Sequence, residues 1–228
     1  MNEPQLFIVS TPIGNLKDIT FRAIETLQKV DFILCEDTRV TGILLNHYEI
    51  RKELISFNAQ SENHKIPHVL DRLSQGHTCA LVSDAGTPLL SDPGARLISE
   101  SIAQGLNVQA IPGPSAMLTA LCMSGLPTDS FIFEGFIPQK KGRQKKLSEL
   151  AAEERTVILY ESTYRIEKLL NELCTYMPER HIVVARELTK KFEEVWRGKP
   201  AELIADLPSK TIKGEFVVII APAYYTSK

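Results

Sequence analysis

Two aspartates set among glycines and prolines make Ser83-Asp84-Ala85-Gly86-Thr87-Pro88-Leu89-Leu90-Ser91-Asp92-Pro93-Gly94 the stretch of this chain best suited to hold a ligand. The apolar run at 79–82 reads as a buried strand, so Asp84 stands just past a strand end, where open α/β sheets place their ligand contacts. Gly86 and Gly94 admit backbone angles, or a closeness of approach, that a Cβ forbids, and Pro88 and Pro93 stiffen the turn. The stretch holds no Lys or Arg. It therefore suits a positively charged ligand better than a triphosphate. Asp84 invites that functional reading, whereas Asp92 reads as the cap of the helix that follows. Three further loops combine turn-forming and polar residues: Ser10-Thr11-Pro12-Ile13-Gly14-Asn15, Glu36-Asp37-Thr38-Arg39 and Pro112-Gly113-Pro114-Ser115.

The elements between these loops decide whether they meet. Strands are expected at 6–9, 32–35, 54–56, 79–82 and 108–111. Helices alternate with them. One at 20–29 is expected to turn Phe21, Ile24 and Leu27 inward; a short one carries Leu44 and Leu45. One at 63–75 buries Ile66, Val69, Leu70 and Leu73, another has Leu97, Ile98 and Ile102 on its apolar face, and a last runs through Leu118 and Leu121. Five strand–helix alternations imply a parallel sheet with right-handed crossovers and helices on both faces. In such a sheet every strand-to-helix loop emerges on one edge, so all four loops belong to the same edge. The character changes near Gly125-Leu126-Pro127-Thr128, which places a domain boundary there. Residues 1–124 form an N-terminal α/β domain and 125–228 a second, mixed α/β domain. Its strands are expected at 131–136, 156–160, 182–185, 193–197 and 216–220, with a clean helical face at Ile166, Leu169, Leu170, Leu173 and Cys174.

Composition narrows the function. A net charge of −2 provides no global basic field, so any contact with nucleic acid must rest on a local patch. The four cysteines are scattered, three of them in apolar runs, and are expected as reduced core thiols in a cytoplasmic protein. They show no metal-ligand spacing with the five histidines, and no metal is expected. Met1-Asn2-Glu3-Pro4 does not read as a signal peptide, and no apolar run approaches the ~20 residues of a membrane span. A phosphate-binding Gly-x-x-x-x-Gly-Lys-Ser/Thr, a dinucleotide Gly-x-Gly-x-x-Gly after the first strand and a Gly-x-Ser-x-Gly elbow are all missing.

Taken together, several motifs resemble the ribosomal RNA small-subunit methyltransferase I family of the tetrapyrrole methylase superfamily. They are Ser10–Thr20 (Ser-Thr-Pro-Ile-Gly-Asn-Leu-x-Asp-Ile-Thr), Cys35–Arg39, Ser83–Pro88 with Asp92-Pro93-Gly94, and Ile111–Ala116. Glu134–Pro138, Tyr160-Glu161-Ser162, Arg186–Lys190 and Lys213-Gly214-Glu215 extend the resemblance over nearly the whole chain. The resemblance implies two α/β domains with S-adenosylmethionine held in a cleft between them, and a homodimer. It implies methylation of the ribose 2′-hydroxyl of a cytidine in the decoding region of small-subunit rRNA. It assigns Pro12, Asp84, Gly86, Thr87, Ser115 and Ala116 to the methyl donor, with Glu161 and Gly214 as weaker carry-overs. The tetrapyrrole-modifying branch has Gly-Asp-Pro where this chain has Ser83-Asp84-Ala85, which counts against a porphyrinoid acceptor.

The chemistry of that donor agrees with the loops. An acid such as Asp84 can bond its ammonium or ribose hydroxyls, and backbone amides near Gly86 and Ser115 can serve its carboxylate and adenine edge. Leu89 and Met117 are candidates for packing the ring, with a place in the core as the alternative. A ribose hydroxyl is a weak acid, so candidate bases are Glu36, Asp37 and Glu161, with Arg39 and Arg186 able to hold a phosphate or orient those carboxylates. The structural alternative makes Glu36–Arg39 and Arg186–Glu187 ion pairs at strand ends; for Arg186 and Glu187 that alternative, or a dimer contact, is preferred. Lys140, Lys141, Arg143, Lys145 and Lys146 form the one dense positive patch and are expected to grip rRNA phosphates. Phe136 beside them is expected in the core, with base stacking as its functional alternative. The competing functions are methylation of a small tetrapyrrole-like acceptor and a non-catalytic role in ribosome assembly.

Overall fold

The structure, a computed structural model, describes residue 3 and residues 5–226. Its contacts divide the chain into two units, Met1–Ser115 and Ala116–Lys228. The first unit runs β1 (Leu6–Val9), α1 (Phe21–Lys29), β2 (Phe32–Cys35), α2 (Thr38–His47), β3 (Glu53–Ser56), α3 (Glu62–Ser74), β4 (Cys79–Leu81), α4 (Ala95–Ala103) and β5 (Val108–Ile111). Its sheet is parallel throughout, in the order β3-β2-β4-β1-β5.

Alternation along the strands explains the two-sided core. In β2, Ile33 and Cys35 join Val9, Ala80 and Ile111 beneath Ala23 and Leu27 of α1 and Leu44 and Leu45 of α2. Phe32 and Leu34 point the other way. They join Leu6, Cys79 and Leu81 against Ile66, Val69, Leu70 and Leu73 of α3 and Leu97 of α4. Strands buried on both faces read as continuous apolar runs, as the run Phe32-Ile33-Leu34-Cys35 does.

Two expected inward residues face solvent. Phe21 is 87% exposed and Ile102 60% exposed. The buried face of α1 is Ala23, Thr26 and Leu27, and that of α4 is Leu97 and Ser101. In each helix a small residue takes a core position beside the sheet, and the large apolar residue lies off that face. The cysteines also divide: Cys35 and Cys79 are buried and Cys174 half-buried, but Cys122 is exposed.

The second unit begins with α5 (Ala116–Ser124) and continues with β6 (Phe131–Gly135), α6 (Arg143–Ala151), β7 (Thr156–Ser162), α7 (Ile166–Tyr176), β8 (Ile182–Arg186), β9 (Glu194–Gly198), α8 (Pro200–Asp206) and β10 (Glu215–Ile220). The strand order is β6-β7-β10-β8-β9. Only β6 and β7 are parallel; the other neighbours are antiparallel, so the sheet is mixed. Val157, Leu159, Val184, Phe216, Val218 and Ile220 form its core with Leu147 and Leu150 of α6 and the apolar face of α7. The division falls ahead of the turn at 125–128 because α5 packs on β7 and β10. Among the described residues no helix is long and apolar enough to cross a membrane.

Candidate functional site

The loops that leave the parallel strands are bonded to one another. After β1, the Thr11 amide donates to the Gly86 carbonyl at 2.9 Å, and the Gly86 amide returns a bond to the Thr11 carbonyl at 3.1 Å. Thr11 Oγ1 donates to the Ser83 carbonyl at 3.0 Å. Thr87 Oγ1 donates to the Pro114 carbonyl at 3.0 Å and accepts from Ser10 Oγ at 3.2 Å. The loop after β2 joins through the Asp37 amide, which donates to Asp84 Oδ1 at 3.0 Å. Four chain-distant segments thus meet at one sheet edge, with Ser10, Thr11, Pro12, Ser83, Gly86 and Ser115 buried there.

Glycine is required where these segments touch. Gly86 has φ +83°, and an added Cβ would lie 3.1 Å from Ile13 Cγ2 and 3.6 Å from the Pro114 carbonyl. At Gly113 the same atom would lie 2.9 Å from Ser10 Cβ. Beyond them the loop is held in unusual backbone conformations: Leu89 has φ 74° and Ser91 φ 75°. Positive φ at a bulky residue such as Leu is strained and persists only where surrounding structure imposes it.

The acids at this edge sort into two kinds. Asp37 caps α2 by accepting from the Arg39 amide, and it binds the Arg39 guanidinium at 2.5 Å. Those bonds hold its carboxyl down at about 2. Asp37 and Arg39 thus form the N-cap of α2 and an ion pair with one another. Glu36, Asp84 and Asp92 behave oppositely. Burial raises all three, and repulsion from Asp84 and Asp37 adds to it at Glu36, from Asp37 at Asp84, and from Glu36 and Asp84 at Asp92, although the Asp37 amide and the Arg39 charge act against the rise at Asp84. Asp92 reaches about 6. Carboxylates whose ionised forms burial disfavours are the ones a fixed positive charge would relieve.

Asp92 does not cap α4. The capping position is Gly94, whose amide donates to Glu62 Oε2 at 3.0 Å. A carboxylate from the first turn of α3 thus satisfies the amide that local spacing assigned to Asp92. Gly94 has φ +120°, and its Cβ would lie 2.7 Å from Leu81 Cδ2, so this turn admits only glycine.

In the second unit, Glu161 is buried at the end of β7. Its Oε1 accepts from Arg165 Nε at 2.7 Å and from the Ser162 amide at 2.8 Å, while Oε2 is buried without a hydrogen bond. Gly214 packs so tightly that its Cβ would lie 2.5 Å from Glu187 Cγ, and its amide donates to Thr163 Oγ1 at 2.7 Å. Arg186 is buried. It donates to the carbonyls of Lys213 at 2.6 Å and Phe192 at 2.9 Å, and Glu187 accepts from Lys190 at 2.9 Å. Both residues are held by bonds within the second unit.

The basic run is split. Arg143 is only 4% exposed: its guanidinium binds Glu172 of α7 at 2.5–2.9 Å and donates to the Pro138 carbonyl at 2.9 Å. It anchors α6 and is not part of a surface patch, a correction to its expected role. Lys146 pairs with Glu134 at 3.1 Å and Glu149 at 3.4 Å. Lys140, Lys141 and Lys145 remain exposed. Phe136, expected in the core, is 51% exposed. Arg165, which reasoning from sequence passed over, binds Glu161 and lies over the Phe136 ring at 5.6 Å. The i,i+4 spacing of Glu161 and Arg165 was the available signal.

The family model described as Tetrapyrrole (Corrin/Porphyrin) Methylases matches residues 5–204. A Thermotoga maritima protein named ribosomal RNA small subunit methyltransferase I is 44% identical over 217 residues, which cover 95% of this chain and 98% of that one. A Synechocystis protein of the same name is 48% identical over 220 residues, covering 96% of this chain and 79% of the relative. Among solved structures, uroporphyrin-III C-methyltransferase from Thermus thermophilus complexed with S-adenosylhomocysteine matches with a TM-score of 0.64 at 17% identity, over 94% of this chain and 96% of that one. That last likeness is one of fold.

Proposed function

The chain belongs to the ribosomal RNA small-subunit methyltransferase I family of the tetrapyrrole methylases, and from that premise we propose that it methylates the ribose 2′-hydroxyl of a cytidine in the decoding region of small-subunit rRNA, using S-adenosylmethionine. The observation that carries the reading is the knot of loops around Thr11, Gly86, Thr87 and Pro114, with three burial-disfavoured acids at the same sheet edge. The residues fit the donor: a base-free loop, close backbone approach at Gly86, and Asp84 as the acid for an ammonium or ribose hydroxyl. Pro12, Thr87, Ser115 and Ala116 complete the assigned donor contacts. S-adenosylmethionine supplies the activated methyl group.

The protein's own part is alignment and exclusion of water. Among the candidate bases, Asp37 is held too acidic by Arg39 to accept a proton well. Glu36 is raised by burial and by Asp84, and we assign it the proton of the ribose hydroxyl. Lys140, Lys141 and Lys145 are assigned to rRNA phosphates, and the active species is assigned as a homodimer.

Radiolabelled methyl transfer to small ribosomal subunits, naked rRNA and a precorrin-like acceptor tests the reading. Label confined to an RNA cytidine ribose, located by nuclease digestion and mass spectrometry, supports it. Label on the tetrapyrrole, or none on any acceptor, overturns it. Glu36→Gln should lower kcat about 10²-fold or more while leaving S-adenosylhomocysteine affinity within a few-fold.

A further inference from the structure

β6 does not end as a plain strand. Its pairing with β7 shifts between Phe133 and Gly135: Phe133 stands opposite Ile158, but Gly135 stands opposite Leu159. One extra residue, Glu134, has been absorbed, and Gly135 takes φ +60°. Bulges of this kind re-aim the side chain that follows. Here that side chain is Phe136, turned out to 51% exposure.

The ring is held, not loose. The edge of Tyr160 meets it with centroids 5.8 Å apart and planes at 62°. Tyr160 is itself backed by Phe133 at 4.9 Å and 70°. The Arg165 guanidinium lies 5.6 Å from the Phe136 centroid. Arg165 is in turn fixed by the buried Glu161 carboxylate and by Ser162 Oγ, to which its Nε donates at 3.1 Å. An exposed aromatic ring with a guanidinium fixed over it offers two planar π-surfaces, an arrangement that stacks an unpaired nucleobase. Lys140 and Lys141 follow within the same loop, both exposed, and supply the charge that a phosphate backbone requires.

We propose that Phe136 and Arg165 form a base-stacking platform for single-stranded RNA on the second unit. The proposal rests on the rRNA reading above and adds to it the surface that holds an unstacked base. A ligand of this class presents a flat π-face to Phe136 and a phosphate to the adjacent lysines. The bulge explains why the ring is presented. A core phenylalanine would need no positive-φ glycine ahead of it.

The test compares a labelled single-stranded RNA oligonucleotide with the same backbone carrying abasic sites, by fluorescence anisotropy on the full chain. We expect the intact protein to prefer the base-bearing probe about tenfold, Phe136→Ala to lose that preference, and Phe136→Trp to keep it with quenching of the new tryptophan. Circular dichroism checks that both variants fold. Equal binding of the two probes by the intact protein, or full preference retained by Phe136→Ala, overturns the platform. So does a matching loss of S-adenosylhomocysteine affinity in Phe136→Ala, which would assign the ring to the donor. Failure of the intact protein to bind either probe also overturns it. Methyl transfer to small subunits, measured alongside, reports separately on the substrate reading.

Discussion

At Gly86 a single added methyl group would press on Ile13 Cγ2 at 3.1 Å in a backbone conformation that L-residues avoid. Gly86→Ala should therefore lower S-adenosylhomocysteine affinity by about tenfold in calorimetry, because about 1–2 kcal/mol of strain has to be relieved by moving a loop that three others are bonded to. Asp92 makes a prediction of the opposite sign. Its folded pKa, raised by burial and then by Glu36 and Asp84, is about 6 against an ordinary 3.8. Between those values the native state holds a proton that the unfolded chain has released, so stability falls as pH rises from about 4 to about 6. Asp92→Asn should raise the melting temperature at pH 8, and the advantage should vanish near pH 4. Melting curves of both proteins at the two pH values read this directly.

At the scale of elements, the basic run at the head of α6 has two jobs that spacing alone does not separate. Arg143 ties α6 to α7 through Glu172, and its loss leaves a partly buried carboxylate without its main partner. We expect Arg143→Ala to destabilise the protein by about 3–5 kcal/mol in urea unfolding. Lys140→Ala with Lys141→Ala should leave that stability unchanged. It should instead weaken binding to single-stranded RNA and reduce the slope of log affinity against log salt by roughly 0.7 per lysine. Glu62 is a second case of an element held by a distant one: a carboxylate in the first turn of α3 closes the start of α4. The same logic places Arg186, whose guanidinium joins β8 to the carbonyls of Phe192 and Lys213.

Across the whole molecule each unit has its own apolar core. Leu81 is fully packed within the parallel sheet of the first, and Leu169 within the α7 layer of the second. Leu81→Ala and Leu169→Ala should each destabilise its own unit by about 2–5 kcal/mol. Differential scanning calorimetry should then show a different part of the transition moving in each variant. One merged transition that shifts alike in both would mean that the units unfold together.

The order of strands and helices, the parallel first sheet and the mixed second one were legible in the chain because they follow from short-range periodicity and turn residues. The loop residues Ser10–Asn15, Ser83–Pro88 and Pro112–Ser115 were legible for the same reason, since a parallel sheet brings all its strand ends to one edge. Local spacing did not reveal who pairs with whom. Asp92 lost the cap to Glu62, Arg143 went inward to Glu172, and Phe136 was turned outward by a register shift against β7. Phe21 and Ile102 likewise yielded their core places to Ala23 and Ser101. Each of those outcomes depends on a partner far away in the chain, and a carboxylate or a ring takes the neighbour that packing brings to it. Periodicity thus settled the elements and their common edge, and tertiary contact alone decided which side chains are left available at that edge.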